Sequence, residues 1–281
     1  MPMAKKNKTN KSEAPKPFVK WAGGKRQLIN MLFSNAPESF NTYVEPFIGG
    51  GALLLNLMPE NAVISDINPE LINAYKVVKE NTESLLRSLK EHRNEEDYFY
   101  DVRAKDISLM SDLERASRFI FLNKTCFNGL YRENSKGRFN VPFGRYKNPN
   151  IDDRQNLEAV ALYLNRAHVD ILQQDFKKTA EMAKKGDFVY FDPPYHPTSQ
   201  TASFTRYAKN DFTSKDQEEL AETFRQLAER GCHVMLSNSN VPFIKELYKD
   251  FNILEIEATR FINCKADKRG KGLYEVLVKS Y

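Results

Sequence analysis

The chain has 281 residues, of which 41% are apolar and 28% charged, a composition that supports a sizeable buried core and excludes global disorder. No stretch approaches the roughly 18 consecutive apolar residues that a membrane-spanning helix needs, and no apolar signal core opens the chain. Three cysteines and four histidines, all widely separated, indicate neither a disulfide framework nor a zinc site. We therefore expect a cytoplasmic, monomeric protein without a metal.

Positive charge is concentrated in two segments. Residues 1–26 contain eight Lys or Arg and one acid, residues 124–147 contain six and one, and the rest of the chain is net acidic. Two basic segments on an acidic body indicate a polyanionic partner, most simply nucleic acid. A solubilising tail plus a charged loop is the alternative.

The first part of the chain alternates short apolar runs with helical patterns. A polar, Lys-rich stretch at 1–16 predicts a disordered basic tail. Asn68 and Pro69 are typical of a helix start. The elements predicted after the tail are a helix at 26–35, a strand at 42–45, a helix at 52–58, a strand at 62–65 and a helix at 69–80.

The middle of the chain has a different texture. Residues 82–125 are charged and helix-patterned, and residues 126–149 combine Asn128-Gly129 and further glycines and prolines with aromatics, which is typical of hairpins and loops. A helix is predicted again at 152–166. We expect residues 81–165 to form a helical and hairpin domain inserted into a catalytic domain.

The last part returns to alternating strands and helices, so the catalytic domain is predicted to comprise residues 17–80 and 166–281. This alternation predicts an α/β fold with a Rossmann-like, mostly parallel sheet. Ligands of such sheets bind beyond the carboxyl ends of the strands. The strands predicted here lie at 168–172, 188–191, 233–236, 253–258 and 274–278, and the helices at 214–230 and 241–250.

A glycine turn and an acid follow the first two strands. Glu45 ends the first strand and leads into Pro46-Phe47-Ile48-Gly49-Gly50-Gly51, which lacks the GxGxxG spacing of a dinucleotide site. This turn either lets a ligand approach the backbone or is a tight turn without a ligand. Asp66, 21 positions after Glu45, is placed either to accept hydrogen bonds from a ribose or to cap the next helix.

The sharpest motif is Asp192-Pro193-Pro194-Tyr195, directly after the apolar run at 188–191. Two prolines cannot extend a central strand, so they fix a rigid turn at its end. Asp192 and the carbonyl of Pro193 are then placed to accept hydrogen bonds from one amino group, and Tyr195 to stack on a planar ring. Because the lone pair of an exocyclic base amine is delocalised into the ring, two such acceptors would make that nitrogen a better nucleophile. A merely structural turn is the alternative.

The glycine turn and the DPPY motif resemble the two hallmark motifs of S-adenosylmethionine-dependent amino methyltransferases of DNA. Two further stretches are similar to the Dam branch of N6-adenine methyltransferases, and most of all to DpnII-type modification methylases, which act at GATC. These stretches are KWAGGK at 20–25, and FNGLYR at 127–132 continued by FNVPFGRYKNP at 139–149. The resemblance covers residues 17–281 and includes the order of the motifs.

This resemblance implies a site-specific adenine-N6 methyltransferase that uses S-adenosylmethionine, acts on double-stranded DNA by base flipping, and reads DNA with residues 81–165. The catalytic residue it implies is Asp192, which joins Pro193 and Tyr195 from the argument on the turn above. The cofactor-binding residues are Trp21, Lys25, Glu45, Phe47, Gly49, Gly51, Asp66, Asp175, Phe176 and Asp192. The DNA-binding residues it implies are Lys20, Asn128, Leu130, Arg132 and Pro142, and the residue types add Phe127, Arg138 and Arg145 as DNA-binding candidates.

The residues also support this assignment of the middle segment. An Asn-Gly turn between basic and aromatic stretches predicts a stiff hairpin with side chains on its tip, where Arg132 could hold guanine O6 and N7. Arg138, Arg145 and Lys147 are expected at phosphates. Phe127 stands where Dam proteins often have tyrosine; it is a candidate to fill the gap left by a flipped base, or else a core aromatic.

Two other functions stay open at this stage. The DPPY motif requires only an exocyclic amine, so a cytosine-N4 methyltransferase would use the same chemistry. A catalytically silent DNA-binding protein of the same fold is the second alternative, although the intact Asp192 and Lys25 argue against it.

Overall fold

The computed structural model describes residues 14–23, 25, 28–197, 212–258 and 273–281. In these ranges seven strands form one sheet. Their bounds are β1 Tyr43–Glu45, β2 Asn61–Asp66, β3 His168–Gln173, β4 Phe188–Phe191, β5 His233–Ser239, β6 Asn252–Ala258 and β7 Leu273–Lys279.

Ten α-helices lie within the described ranges. They are α1 Ile29–Asn35, α2 Ala52–Leu57, α3 Pro69–Glu80, α4 Thr82–Lys90, α5 Glu96–Ala104, α6 Asp112–Thr125, α7 Arg154–Arg166, α8 Phe176–Glu181, α9 Ser214–Glu229 and α10 Pro242–Leu247. Within this part of the chain, no helix has the length and apolar content that crossing a bilayer requires.

The sheet has the strand order β3-β2-β1-β4-β5-β7-β6. Strands β1 to β5 pair in parallel, and β7 runs antiparallel between β5 and β6. The order reverses between the neighbours β1 and β4, and such a switch point opens a crevice at the carboxyl edge of a sheet. The mostly parallel α/β fold predicted from the sequence is thus confirmed.

The two faces of the sheet bury alternate side chains of each strand, as the period of two requires. On β4, Phe188 and Tyr190 belong to one apolar cluster, whereas Val189 and Phe191 belong to the other. The first cluster continues into α2 to α7, and the second packs against α8 to α10. Both layers hold the carboxyl edge in place.

Helices α4 to α7 lie between α3 and β3 in the chain, where the inserted domain is predicted. Helix α6 begins with a capping box in which Ser111 and Glu114 bond each other's backbone amides, and it packs against α3. Its apolar face joins the same cluster as β1 and α2, so insert and sheet share one continuous core on this side.

Most predicted elements are found, with small shifts at their ends. Helix α3 has the predicted bounds, and the Asn68 side chain caps it by accepting from the amides of Glu70 and Leu71. Helix α10 is shorter than predicted because it ends at Leu247. The strand predicted at 233–236 continues to Ser239, so its last three polar residues are part of the sheet.

Candidate active site

The glycine turn follows β1 at the carboxyl edge, and at two of its positions a side chain would collide with neighbouring atoms. Gly49 and Gly51 both have positive φ angles, 47° and 68°. A Cβ atom on Gly49 would lie 2.6 Å from Cδ1 of Trp21, and one on Gly51 would lie 2.5 Å from the hydroxyl of Tyr75. Only glycine fits either position, so the turn presents bare backbone between Trp21 and the end of β2.

Asp66 ends β2 beside this turn. Its Oδ2 accepts from the Gly49 amide at 3.2 Å, and its Oδ1 accepts from the Asn68 amide at 3.0 Å. Burial raises its pKa to about 6, against the lowering effect of these backbone hydrogen bonds. The helix-cap interpretation of Asp66 is wrong, because Asn68 caps α3. Because a carboxylate oxygen can accept more than one hydrogen bond, Asp66 can also accept hydrogen bonds from hydroxyl groups of a ligand such as a ribose.

The next position, Ile67, was not predicted from the sequence. It is 56% exposed although it is a large apolar side chain at a strand end. Its carbonyl accepts a hydrogen bond from the side-chain amide of Gln173, at the end of β3. This bond holds the Ile67 backbone at the carboxyl edge of the sheet. This exposed isoleucine offers an apolar face to a planar ring, and the sequence signal that was missed is an isoleucine directly after the acid at a strand end.

Asp175 and Phe176 follow β3. Asp175 is exposed and caps α8, with its Oδ1 accepting from the Lys177 amide at 2.9 Å. Phe176 is buried and its ring stacks on Phe47 of the glycine turn, with centroids 5.4 Å apart. The structure therefore brings two of the predicted cofactor residues, from two different loops, into direct contact.

The DPPY motif begins where β4 ends, on the strand beside β1. The Nζ of Lys25 lies 2.7 Å from Oδ1 of Asp192, with the two side chains 5% and 20% exposed. Lys25 also donates to the Gly23 carbonyl at 2.9 Å and lies 4.5 Å from the centre of the Tyr195 ring. The N-terminal segment and the DPPY motif thus meet in one ion pair.

Glu45 lies deeper in the same crevice. It is 3% exposed, and its Oε2 accepts from the hydroxyl of Tyr43 at 2.8 Å. Burial raises its pKa well above the ordinary value, and the charge of Asp192 raises it further. Since both effects favour the protonated form, Asp192 is the better candidate for a charged acceptor in this crevice.

A buried polar network holds the DPPY turn from behind. The side-chain amide of Gln217 donates to the Pro194 carbonyl at 2.9 Å, and the side-chain amide of Asn238 donates to Oε1 of Gln217 at 2.9 Å. The backbone amide of His196 donates to Oδ1 of Asn238 at 3.2 Å, and the Tyr195 hydroxyl donates to Oε2 of Glu275 at 2.8 Å. Burial raises the pKa of Tyr195 well above its ordinary value, which keeps this donor protonated. These supporting residues were not predicted, although polar residues at the end of an apolar strand were visible.

The Asn-Gly pair does not close a hairpin, which corrects the sequence prediction. Residues 127–129 form a 3₁₀ turn directly after α6, with Asn128 and Gly129 at φ angles of 56° and 62°. Phe127 in this turn is 48% exposed, so the core-aromatic interpretation is wrong. Its amide donates to the carbonyl of the exposed Pro142 at 2.8 Å, and the Leu130 side chain packs on the core.

The hairpin lies farther along, over residues 131–140. Glu133 and Phe139 pair across it, and its tip is at 134–138 with Gly137 at a φ of 71°. Arg132 and Arg138 are exposed, and Nε of Arg132 donates to the Asn140 side chain at 2.7 Å. The Asn140 contact, which was not predicted, sets the direction of the guanidinium.

The remaining basic residues lie around this hairpin. Lys20 lies 4.1 Å from the centre of the Tyr146 ring and lines a groove together with Lys124 and Lys147. Arg145 is exposed and pairs with Glu96 at 3.6 Å, near α5. Most of the predicted tail (1–13), and Gly24 of the KWAGGK stretch, lie outside the described residues.

No metal site is found in the described part of the chain, where no three His, Cys, Asp or Glu side chains are grouped to hold an ion. The crevice instead offers hydrogen-bond acceptors, bare backbone and aromatic faces. Such a set fits an organic ligand with hydroxyl groups and a planar ring.

Comparison with known proteins agrees with this chemistry. The family model for D12 class N6 adenine-specific DNA methyltransferases matches residues 21–262. The Type II methyltransferase M1.LlaDCHI of Lactococcus lactis subsp. cremoris is 48% identical, over 100% of this chain and 99% of that protein. M.MjaIII of Methanocaldococcus jannaschii, also a Type II methyltransferase, is 46% identical over 95% and 99%. The DNA adenine methylase of Escherichia coli is 33% identical over 90% and 91%.

Proposed function

The chain belongs to the D12 class of N6 adenine-specific DNA methyltransferases, and from that premise we propose that it methylates N6 of adenine in double-stranded DNA, at GATC, with S-adenosylmethionine as methyl donor. The observation that carries the proposal is the Lys25–Asp192 ion pair beside the glycine turn and Asp66. This arrangement supports the proposal that a single crevice binds both the methyl donor and the exocyclic amine of the base.

The residues of the crevice fit the proposed donor. Asp66, whose oxygens accept backbone hydrogen bonds from Gly49 and Asn68, is suited to the ribose hydroxyls. The exposed Ile67 offers an apolar face for the adenine ring, the buried Phe176 supports Phe47 at the same edge, and the glycine turn offers backbone groups to the methionine end. S-adenosylmethionine supplies, when bound, a methyl group on a positively charged sulfur.

The proposed chemical step needs a nucleophilic nitrogen. Asp192 and the Pro193 carbonyl accept hydrogen bonds from the two N6 protons, which localises the nitrogen lone pair. That lone pair forms the new N–C bond as the C–S bond breaks, and the electron pair of that bond stays on sulfur. The amine then releases one proton, for which Asp192 is the proposed acceptor. Tyr195 stacks on the base, with its hydroxyl held by Glu275.

The target adenine has to leave the duplex to reach such a crevice, because the crevice lies at the strand ends. The exposed ring of Phe127 supports this part of the proposal, since it is available to fill the vacated space. We propose that Asn128, Leu130 and Pro142 lie near the same step and that Arg132 reads a guanine.

The proposed setting is a Type II modification system in the cytoplasm. The two relatives with the higher identities above are named as Type II methyltransferases. The thiols of Cys126 and Cys232 are free and buried, which is consistent with a reducing compartment.

The test is to incubate the protein with methyl-labelled S-adenosylmethionine and matched duplexes with and without GATC, then to identify the modified nucleoside after digestion. N6-methyladenine from the GATC duplex alone is the expected result. N4-methylcytosine would support the alternative base, label without preference for GATC would reject the site, and no label in any duplex would support the silent DNA-binding alternative.

A further inference from the structure

Tyr131, the first residue of the 131–140 hairpin, contacts the segment that borders the proposed cofactor crevice. Its ring stacks on Trp21, with centroids 5.7 Å apart and planes at 23°. It also packs on Phe119 of α6 and on Phe139 across the hairpin, at 5.4 and 5.7 Å. The Tyr131 side chain therefore joins the 131–140 hairpin to Trp21.

Trp21 also touches the glycine turn. A Cβ on Gly49 would lie 2.6 Å from the indole, so the ring and the backbone of Gly49 are in direct contact. A ligand that fixes Gly49 or Trp21 thereby restricts the surface on which Tyr131 stacks.

The hydroxyl of Tyr131 makes a second connection. It donates to Glu133 within the hairpin. Burial, followed by the Glu133 carboxylate, raises the pKa of this hydroxyl, and a side-chain hydrogen bond from Asn68 lowers it. The backbone amide of Asn68 donates to Asp66, so Asn68 connects the Tyr131 hydroxyl with the proposed ribose acceptor.

The hairpin side is equally constrained. Arg132 follows Tyr131 directly, and its carbonyl and side chain both bond Asn140. The buried Asn123 side chain bonds the amide and the carbonyl of Lys20, at 2.7 Å each, and the carbonyl of Gly129 at 3.2 Å. Asn123 therefore connects Lys20 with Gly129, directly before the 131–140 hairpin. This connection restricts the movement of Trp21 relative to the hairpin.

We propose that Tyr131 is a positioning residue that couples binding of S-adenosylmethionine to binding of the DNA target. This inference rests on the proposed function. A ligand in the crevice restrains Trp21 and the Asp66–Asn68 loop, which hold Tyr131, so the hairpin loses less freedom when DNA binds. Because linkage is reciprocal, bound DNA strengthens cofactor binding by the same factor.

The test uses S-adenosylhomocysteine, which cannot transfer a methyl group, and a GATC duplex. Trp21 is the single tryptophan of the chain and reports binding by its fluorescence, with calorimetry as a second readout. In the wild-type protein the duplex should tighten S-adenosylhomocysteine binding by about 5- to 20-fold. The Tyr131→Leu variant should bring this factor to within about twofold of unity.

Phe139→Leu is the matched control, because it removes a ring from the same hairpin core without removing the Trp21 stack. It should keep most of the wild-type factor. Tyr131→Phe retains the stack and loses the hydroxyl contacts with Glu133 and Asn68, so its factor should fall by about two- to threefold, and this variant decides the matter if Tyr131→Leu does not fold.

The possible outcomes separate the two proposals. A wild-type factor of one, an unchanged factor in Tyr131→Leu or in Tyr131→Phe, or an equal loss in Phe139→Leu would each overturn the role of Tyr131 while leaving the proposed function intact. Failure of the wild-type protein to bind either ligand would overturn both.

Discussion

The ammonium of Lys25 and the carboxylate of Asp192 form an ion pair, with Nζ 2.7 Å from Oδ1, although they belong to segments far apart in the chain. A buried ion pair adds little net stability, since desolvation offsets the attraction between the charges. Its position over Tyr195 and beside Glu45 indicates a functional role instead. We expect the ammonium of Lys25 to favour the charged form of Asp192, because an opposite charge at this distance stabilises a carboxylate.

Replacing Lys25 tests this role. In Lys25→Met the charge is lost and the chain length is nearly kept, so Asp192 should take up a proton more readily. The acid limb of the single-turnover rate profile should then shift upward by about one pH unit or more. Lys25→Arg, which keeps the positive charge, should retain the wild-type limb. An unshifted limb in Lys25→Met would show that Asp192 does not depend on this ammonium.

Asp66→Ala removes the acceptor proposed for the ribose. Affinity for S-adenosylmethionine should fall by about 1.5–3 kcal/mol, the scale of hydrogen bonds to charged groups, while DNA affinity changes less. Calorimetry on the folded variant measures both. A cofactor affinity equal to that of the wild type would leave Asp66 as only a support for Gly49 and Asn68.

Asp66 also predicts a pH dependence of stability. Burial raises its pKa to about 6 from 3.8, so the folded state disfavours the charged form more than the unfolded state does. Below the unfolded pKa both states are protonated and there is no penalty; the penalty grows as pH rises from 3.8 to about 6 and is constant above that. Relative to the wild type, Asp66→Asn should therefore gain stability between about pH 4.5 and about pH 7.5 in the absence of ligand. Thermal unfolding at both pH values measures this, and a constant difference would contradict the assignment.

Arg132 and Arg138 should differ in their effect on sequence reading. If Arg132 makes a bidentate contact with guanine, Arg132→Ala should lower the preference for GATC over sites changed at that guanine by about 1–3 kcal/mol. Arg138→Ala, the control in the same hairpin, should weaken all sites alike and reduce the salt slope by about 0.9. Methylation of one-base variants at two salt concentrations measures both effects. Equal slowing of every site by Arg132→Ala would make it a phosphate contact.

The sequence predicted the central elements because their signals are local. Apolar runs that end in Glu45, Asp66 and Asp192 predicted parallel strands with polar carboxyl ends, and the structure places these ends side by side. The Asn128-Gly129 pair was misinterpreted for a physical reason. Its two positive φ angles suit a hairpin turn, but they serve equally to end a helix in a 3₁₀ turn.

The support of the DPPY turn was beyond local signals. Gln217 and Asn238 are fully buried and bond each other across 21 positions of sequence, and Glu275 reaches Tyr195 across 80. Buried polar side chains require partners, but the sequence does not reveal which ones they find. The roles assigned to the site residues stay predictions for the same reason.

The most direct test of the central claim is the single-turnover rate of Asp192→Ala with S-adenosylmethionine and a GATC duplex, both shown to be bound by Trp21 fluorescence. If Asp192 accepts a hydrogen bond from the N6 amine in the crevice, Asp192→Ala should slow methyl transfer by at least ~10²–10³-fold while both ligands still bind. A rate within about tenfold of the wild type would contradict the account, because the loss of an acceptor aimed at developing charge has a larger effect.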